Sequence, residues 1–432
     1  MNRAESRPFG LPSAAALVVA NMVGAGVFTT SGFALADLGS RRLVLIAWVV
    51  GGVLALCGAI SYGGLVRRIT ESGGEYLFLS RTVHPAAGFL AGWVSLLGGF
   101  TGAIALAATA FESYLFPAGP PGWLPAGAAA IAVILLTGLL HGALVRLGVA
   151  AQNLVVALKL LFLLGFVALA CYLGAGDGWP GAALVDESRG FVLTAFAGSL
   201  VWISLSYSGF NAAIYVAGEV RDPARNVPRA LWLGTLLVGA FYLALNTVFL
   251  YAPPPAEVAG RQDVAALAAL TLGGEQLELA VRGVVILALL SSVSSMIVAG
   301  PRVYARMADD GVFPRFFRPG AEGAPPRTAI ALQTGLAALV AAVSQLSELL
   351  SYLGFLLSLS AAASVACLFL IRRRDGREAV AGTGFPFVPA IYVGATVSLG
   401  LLAAVHRPAE FGAAVVTVLT GLVAYLQLRR RN

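Results

Sequence analysis

Apolar runs long enough to cross a bilayer, about 20 residues each, follow one another along almost the whole chain with short polar breaks between them. They fall at 11–38, 43–66, 86–115, 123–141, 147–174, 191–217, 229–251, 278–305, 328–345, 350–371, 384–405 and 409–428. Inside hydrocarbon every backbone N–H and C=O must be paired within the structure, so runs of this length become helices. The expected fold class is an all-α polytopic membrane protein with twelve transmembrane helices. Only 11% of the residues are charged, against about 25% in a soluble domain. The excess of seven positive charges is nearly all arginine near segment ends. In this class that signals topology rather than nucleic-acid binding.

With the N-terminus inside, the inner connections collect twenty-one arginines and the outer ones six. Lys and Arg concentrate on the cytoplasmic side of membrane proteins, so both termini are expected in the cytoplasm and the chain in the plasma (inner) membrane. Arg41 and Arg42 run against the rule. Residues 67–85 mix charge, a Gly-Gly pair and an apolar face, and predict a short helix at the inner surface. No short apolar segment with a cleavage site precedes the first span, so no removable leader is expected.

Two spans carry interruptions. In the first, Gly24 and Gly26 flank Ala25; in the sixth, Ser206, Ser208 and Gly209 lie within Leu205–Asn211. Five helices run from the first interruption to the second. Corresponding interrupted segments in two halves point to a transporter built from inverted repeats, although glycines also serve close helix packing. A helix restarting near Ala25 and Gly26 offers free N–H groups and a positive dipole end, which favour a carboxylate. Carbonyls released before a break favour an ammonium. A pocket offering both matches the shared part of every α-amino acid.

Lys159 is the chain's one lysine, in the apolar run Val155–Phe162. It lies about eight residues past the inner end of its span, roughly 12 Å deep. A lysine at mid-helix costs about 2.5–3.5 kcal/mol on insertion scales, so a role in the bundle interior is expected: a fixed cation in place of sodium, or a proton carrier, with a lipid-facing side chain as the bland alternative. Glu112 and Asp37 fall at outer span ends and read as interfacial. Ser291, Ser292, Ser294 and Ser295 in span eight could meet the lysine or simply pack helices.

Enzyme chemistry finds no footing. His84, His141 and His406 lie near span ends, and no His-Glu-x-x-His, Gly-x-Ser-x-Gly or phosphate-loop pattern occurs. Cys57, Cys171 and Cys367 sit in apolar runs and suggest neither a disulfide framework nor a metal site. No cofactor is expected.

The chain resembles the amino acid–polyamine–organocation superfamily, close to its L-type amino acid transporter branch. The resemblance rests on Gly24–Phe28, Ser206–Asn211, Gly218–Pro228, Gln152-Asn153 with Lys159, and Arg302–Gly311. It implies a five-plus-five inverted repeat (11–174 and 191–371) with broken helices one and six, two further helices over 384–428, and alternating access. By position, the amides of Ala25 and Gly26 would hold a substrate carboxylate, and the carbonyls of Met22, Leu205 and Ser208 its amino group. Asn211 would line the pocket. Lys159 would stand in for sodium, touching span one and Ser294 or Ser295. Where relatives place an aromatic gate this chain has Leu205, which implies a looser gate or a differently shaped pocket. The expected activity is sodium-independent transport of small or medium neutral L-amino acids, as an antiporter (exchanger) or proton symporter. The alternatives are a non-transporting amino-acid sensor or a carrier of cationic amino acids or polyamines. L-type relatives often pair with a glycoprotein through an outer-loop cysteine; this chain has none there, so no covalent partner is expected.

Overall fold

The computed structural model describes residues 9–143, 149–176, 178–184, 190–317 and 327–431. Its helices, in chain order, are α1 (Leu11–Met22), α2 (Ala25–Leu38), α3 (Arg41–Arg68), α4 (Gly74–Thr82), α5 (Pro85–Val94), α6 (Ala103–Leu115), α7 (Ala128–Ala143), α8 (Val149–Gly174), α9 (Leu193–Ser206), α10 (Pro223–Tyr251), α11 (Pro255–Val258), α12 (Val264–Asp309), α13 (Arg327–Val343), α14 (Leu346–Asp375), α15 (Phe387–His406) and α16 (Pro408–Arg431). Among the described residues the one β feature is an isolated bridge from Phe9 to Val220. The protein is a polytopic all-α membrane protein.

With α5 to α6 counted as one path, eight helices among the described residues are long and apolar enough to cross a membrane, nine if α1 and α2 count as one bent span. Shorter apolar helices at Ala128–Gly142, Leu193–Ser206 and Arg327–Val343 occupy three more of the expected positions. The long third run is one continuous path through α5 and α6, joined by a π-helical stretch over Ser95–Gly102. Such wide turns are uncommon and absorb an extra residue. Gly273 and Gly274 leave helical geometry inside α12, so its first residues form a separate short helix before the span, with Val264 to Ala269 buried.

The two interrupted spans lie at the centre. α9 packs against α2, α3, α14 and α15, while α10 runs along α1 and α3. α12 lies on α6 and α8, and α13 on α7.

Glu112 and the helix α4 depart from their sequence reading, and Asp37 and Arg41 find partners. Glu112 is buried: its carboxylate accepts the amides of Gly127 at 2.6 Å and Ala130 at 2.9 Å. It thus anchors the start of α7, where orphan N–H groups and the dipole favour an anion. Asp37 pairs with Arg407 at 3.2 Å. Arg41 is only 3% exposed; it donates to the carbonyls of Gly181, at 2.7 Å, and Leu184, and lies over the Tyr251 ring. Its charge is spent on tying down the 178–184 loop, which accounts for one of the two arginines that run against the charge rule. Finally, α4 forms as expected but does not rest on the surface. Glu75, Tyr76, Leu77, Phe78 and Leu79 are all buried, because α4 folds back against α5 and α14.

Candidate functional site between the two helix breaks

α1 ends at Met22, Val23 turns the chain (ψ 84°), and Gly24 is extended (φ −129°, ψ −157°) before α2 begins at Ala25. The two halves are bent by 42°. The second interruption follows Ser206: Tyr207 and Ser208 turn, Gly209 takes φ +95°, and a 3₁₀ helix runs over Ala212–Glu219. A Cβ at Gly209 would lie 2.9 Å from the Asn21 carbonyl oxygen. Positive φ and close backbone approach both demand glycine here, and they bring the two breaks into direct contact.

Gly26 makes a second close approach. A Cβ there would lie 2.7 Å from Ser206 Cα, so α2 and α9 touch backbone to backbone. At Gly24 the nearest atom is the Met22 carbonyl oxygen at 4.0 Å. Hydroxyls reinforce the seam: Thr30 Oγ1 lies 3.0 Å from Ser206 Oγ, and Ser31 Oγ donates to Asn246 Oδ1 while accepting from Trp48 Nε1 at 2.9 Å.

The carbonyls that face one another across the breaks are those of Met22 and Ser206. One group serves both. Tyr242 Oη on α10 lies 2.5 Å from Met22 O and 3.1 Å from Ser206 O. A phenol carries one proton, so two carbonyl oxygens converge on a single donor. The Leu205 carbonyl instead accepts the Ser208 amide at 2.9 Å. The Ala25 and Gly26 amides open α2 and precede its i−4 ladder, as the first N–H groups of any helix do.

Lys159, 4% exposed, donates from Nζ to Val23 O at 2.7 Å. The lysine therefore points inward, onto the turning residue of the first break, and not to lipid. The span-eight serines go elsewhere. Ser294 Oγ lies 2.7 Å from His141 Nε2, and Ser295 Oγ donates to Ser291 O on its own helix. Gln152 and Asn153 have side chains outside the described set.

Asn211 turns away from the carbonyl pair: its Nδ2 donates to Glu75 Oε1 at 3.2 Å. Tyr62 Oη donates to the same oxygen at 2.5 Å, and Ser360 is a further hydrogen-bond partner of the carboxyl. A buried acid thus stands beside the second break, although its place in a polar connection reads as surface. On the opposite side of the breaks, Leu205 is buried. One turn earlier, Trp202 meets the Phe33 ring at 5.9 Å with the planes tilted by 60°, donates to Ser351 Oγ at 2.7 Å and carries the Arg407 guanidinium 4.9 Å above its ring. No pattern in the sequence singles out Tyr242 or Trp202; both are ordinary aromatics in apolar runs.

The profile of the amino acid permease family matches residues 9–424. The mouse (Mus musculus) Asc-type amino acid transporter 1 is 25% identical over 434 residues, which is 96% of this chain and 80% of that protein. The serine/threonine exchanger SteT of Bacillus subtilis (strain 168) is 24% identical over 446 residues, 99% of this chain and 98% of that one. The human (Homo sapiens) large neutral amino acids transporter small subunit 2 is 31% identical over 275 residues, 60% and 50% of the two chains.

Proposed function

The chain belongs to the amino acid permease family, and from that premise we propose that it moves small or medium neutral L-amino acids across the plasma membrane by alternating access, with both termini cytoplasmic. Its frame is then twelve spans: inverted repeats over 11–174 and 191–371, and two added helices over 384–428. The carrying observation is the pair of carbonyl ends, Met22 O and Ser206 O, that share the Tyr242 hydroxyl beside the start of α2. A primary ammonium brings three donors and would satisfy both oxygens at once. The first amides of α2 would take the carboxylate. Ala25, Gly26, Met22 and the 205–208 turn form this site, with Ser206 supplying the carbonyl first expected of Leu205 or Ser208.

Sodium independence follows from Lys159. Its ammonium already holds the Val23 carbonyl, a task a bound sodium ion would otherwise perform at a broken helix. Exchange is the preferred mode, in line with the relative of matching length that is named an exchanger. Glu75 beside Asn211 is the observation that speaks for cationic cargo; its carboxyl, however, already takes donors from Tyr62 and Asn211. Cys57, Cys171 and Cys367 all lie within helices, so no disulfide-linked partner is proposed.

The test is uptake of tritiated L-serine into proteoliposomes, with and without internal unlabelled serine, with and without sodium, against a panel that includes L-leucine, L-arginine and putrescine. Uptake that requires internal serine and ignores sodium is expected. Uptake that depends on sodium, or no saturable uptake of any amino acid, would sink the reading. A variant probes the site itself. Tyr242→Phe removes the phenol donor that Met22 O and Ser206 O share, Met22 O keeping only the Gly24 amide at 2.9 Å, and this destabilises the unloaded protein by about 1–3 kcal/mol. Its melting temperature should fall, while the rise produced by saturating L-serine should exceed that of the parent. A smaller serine-induced rise would mean that the hydroxyl helps to bind cargo rather than standing in for it.

A further inference from the structure

Glu75 has the most unusual surroundings of any acid in the described structure. It is 6% exposed. Its hydrogen-bond partners are the neutral groups of Tyr62 on α3, Asn211 just past the second break and Ser360 on α14. The other titratable groups that face it are also neutral: Tyr215 on the 3₁₀ helix and Tyr392 on α15. Among the described residues no Arg or Lys hydrogen-bonds or pairs with it. The nearest charged pair on the same connection, Arg81 with Glu71, is exposed at the surface.

Mechanically, Glu75 sits at a clasp. It joins α4 to α3, to α14 and to the segment that leaves the second break. Two neighbours of the clasp act in the same sense: Ser72 Oγ accepts the Gly218 amide at 3.1 Å, and Tyr76 Oη donates to Asp310 Oδ2 at 3.1 Å. Parting α4 from the 212–219 helix would break these contacts and hydrate Glu75.

We propose that Glu75 is a proton-binding site that locks this face of the carrier shut when occupied, so that closure takes up a proton and opening releases it. The inference rests on the transporter reading for its biological consequence. Burial holds the Glu75 carboxyl above the ordinary carboxylate range, opposed by hydrogen bonds from Tyr62, Asn211 and Ser360. Because the closed form is the one that holds the proton more tightly, its stability is full below the ordinary value and is lost as pH rises towards the raised one. Within that window the ratio of closed to open falls by at most about tenfold per pH unit.

A native thiol reads the clasp. Cys367 on α14 is 1% exposed and hydrogen-bonds to Thr82, the last residue of α4. The experiment follows N-ethylmaleimide labelling of Cys367 by peptide mass spectrometry, in proteoliposomes of the full chain and of Glu75→Gln, between about pH 5 and pH 8. The amide mimics the protonated acid, and the ratio of the two labelling rates cancels the thiol's own ionisation. The ratio of parent to variant should climb with pH; a flat ratio overturns the proposal. Should Glu75→Gln not fold, Tyr62→Phe serves: loss of a donor to the carboxylate favours the acid, so the labelling curve relative to the parent should shift to higher pH, and an unmoved curve is equally fatal. L-Serine counterflow is measured on the same vesicles. A pH-dependent ratio without counterflow would discard the transport reading and keep the clasp. A flat ratio with intact counterflow would discard the clasp alone.

Discussion

Lys159→Met is expected to lower L-serine counterflow at least about tenfold, one RT ln 10 of lost stabilisation, while membrane insertion stays normal or improves. Removing a mid-span ammonium relieves about 2.5–3.5 kcal/mol of insertion cost, so expression should not suffer. What is lost is the donor to Val23 O. That carbonyl belongs to the residue that turns α1 towards α2, and an unpaired buried carbonyl costs about 1–3 kcal/mol. The break would relax to find another partner, and the geometry of both half-helices would change with it. Lys159→Arg should fail similarly, because a planar guanidinium is bulkier and cannot replace a point charge in so enclosed a place. Parental counterflow rates in the methionine variant would show that the ammonium has no part in transport.

Gly26→Ala is the second large effect, and Gly24→Ala is its control. At Gly26 the new Cβ would lie 2.7 Å from Ser206 Cα and 2.9 Å from Ser206 Cβ. Backbone cannot yield as a flexible side chain does, so α2 and α9 must separate. Overpacking of this kind typically costs about 1–3 kcal/mol. Here it falls on the joint that must move, and counterflow should drop more than about tenfold together with a lower melting temperature. At Gly24 the backbone is extended and the nearest atom lies 4.0 Å away. Alanine there should change stability by no more than about 0.5 kcal/mol. If Gly24→Ala melts like the parent yet transports poorly, its methyl group has entered space that the cargo needs. If Gly26→Ala melts and transports like the parent, the seam between α2 and α9 is not the rigid contact described.

The features legible in the sequence are those whose physics is local. An apolar run long enough to span is self-announcing, and so is a lysine within one, because hydrocarbon forbids both without compensation. The two breaks were visible through Gly24, Gly26 and Gly209, residues without a Cβ. What depends on tertiary folding was not visible. Glu75 stands in a connection rich in charge and glycine, and its burial arises only when α4 folds back beside α14 and the second break. Glu112 looked interfacial because its partners, the first amides of α7, lie fifteen and eighteen residues away across a loop. Ser294 faces His141 rather than Lys159 because helical spacing names a face but not its neighbour. Tyr242 illustrates the limit most plainly: one tyrosine among twelve, distinguished only by two carbonyls brought to it from spans one and six.

Arg41 also sets a timetable. Its guanidinium donates to the carbonyls of residues 181 and 184, which are 140 and 143 positions further along the chain. At about 5–20 residues per second, a ribosome needs roughly 7–28 s to supply them. During that interval the hairpin of the first two spans must sit in the bilayer with an arginine at its turn and no protein acceptor for it. Lipid phosphates are the groups at hand, and they must later give the side chain up. The early topology of this chain is therefore provisional until the loop after α8 has been made.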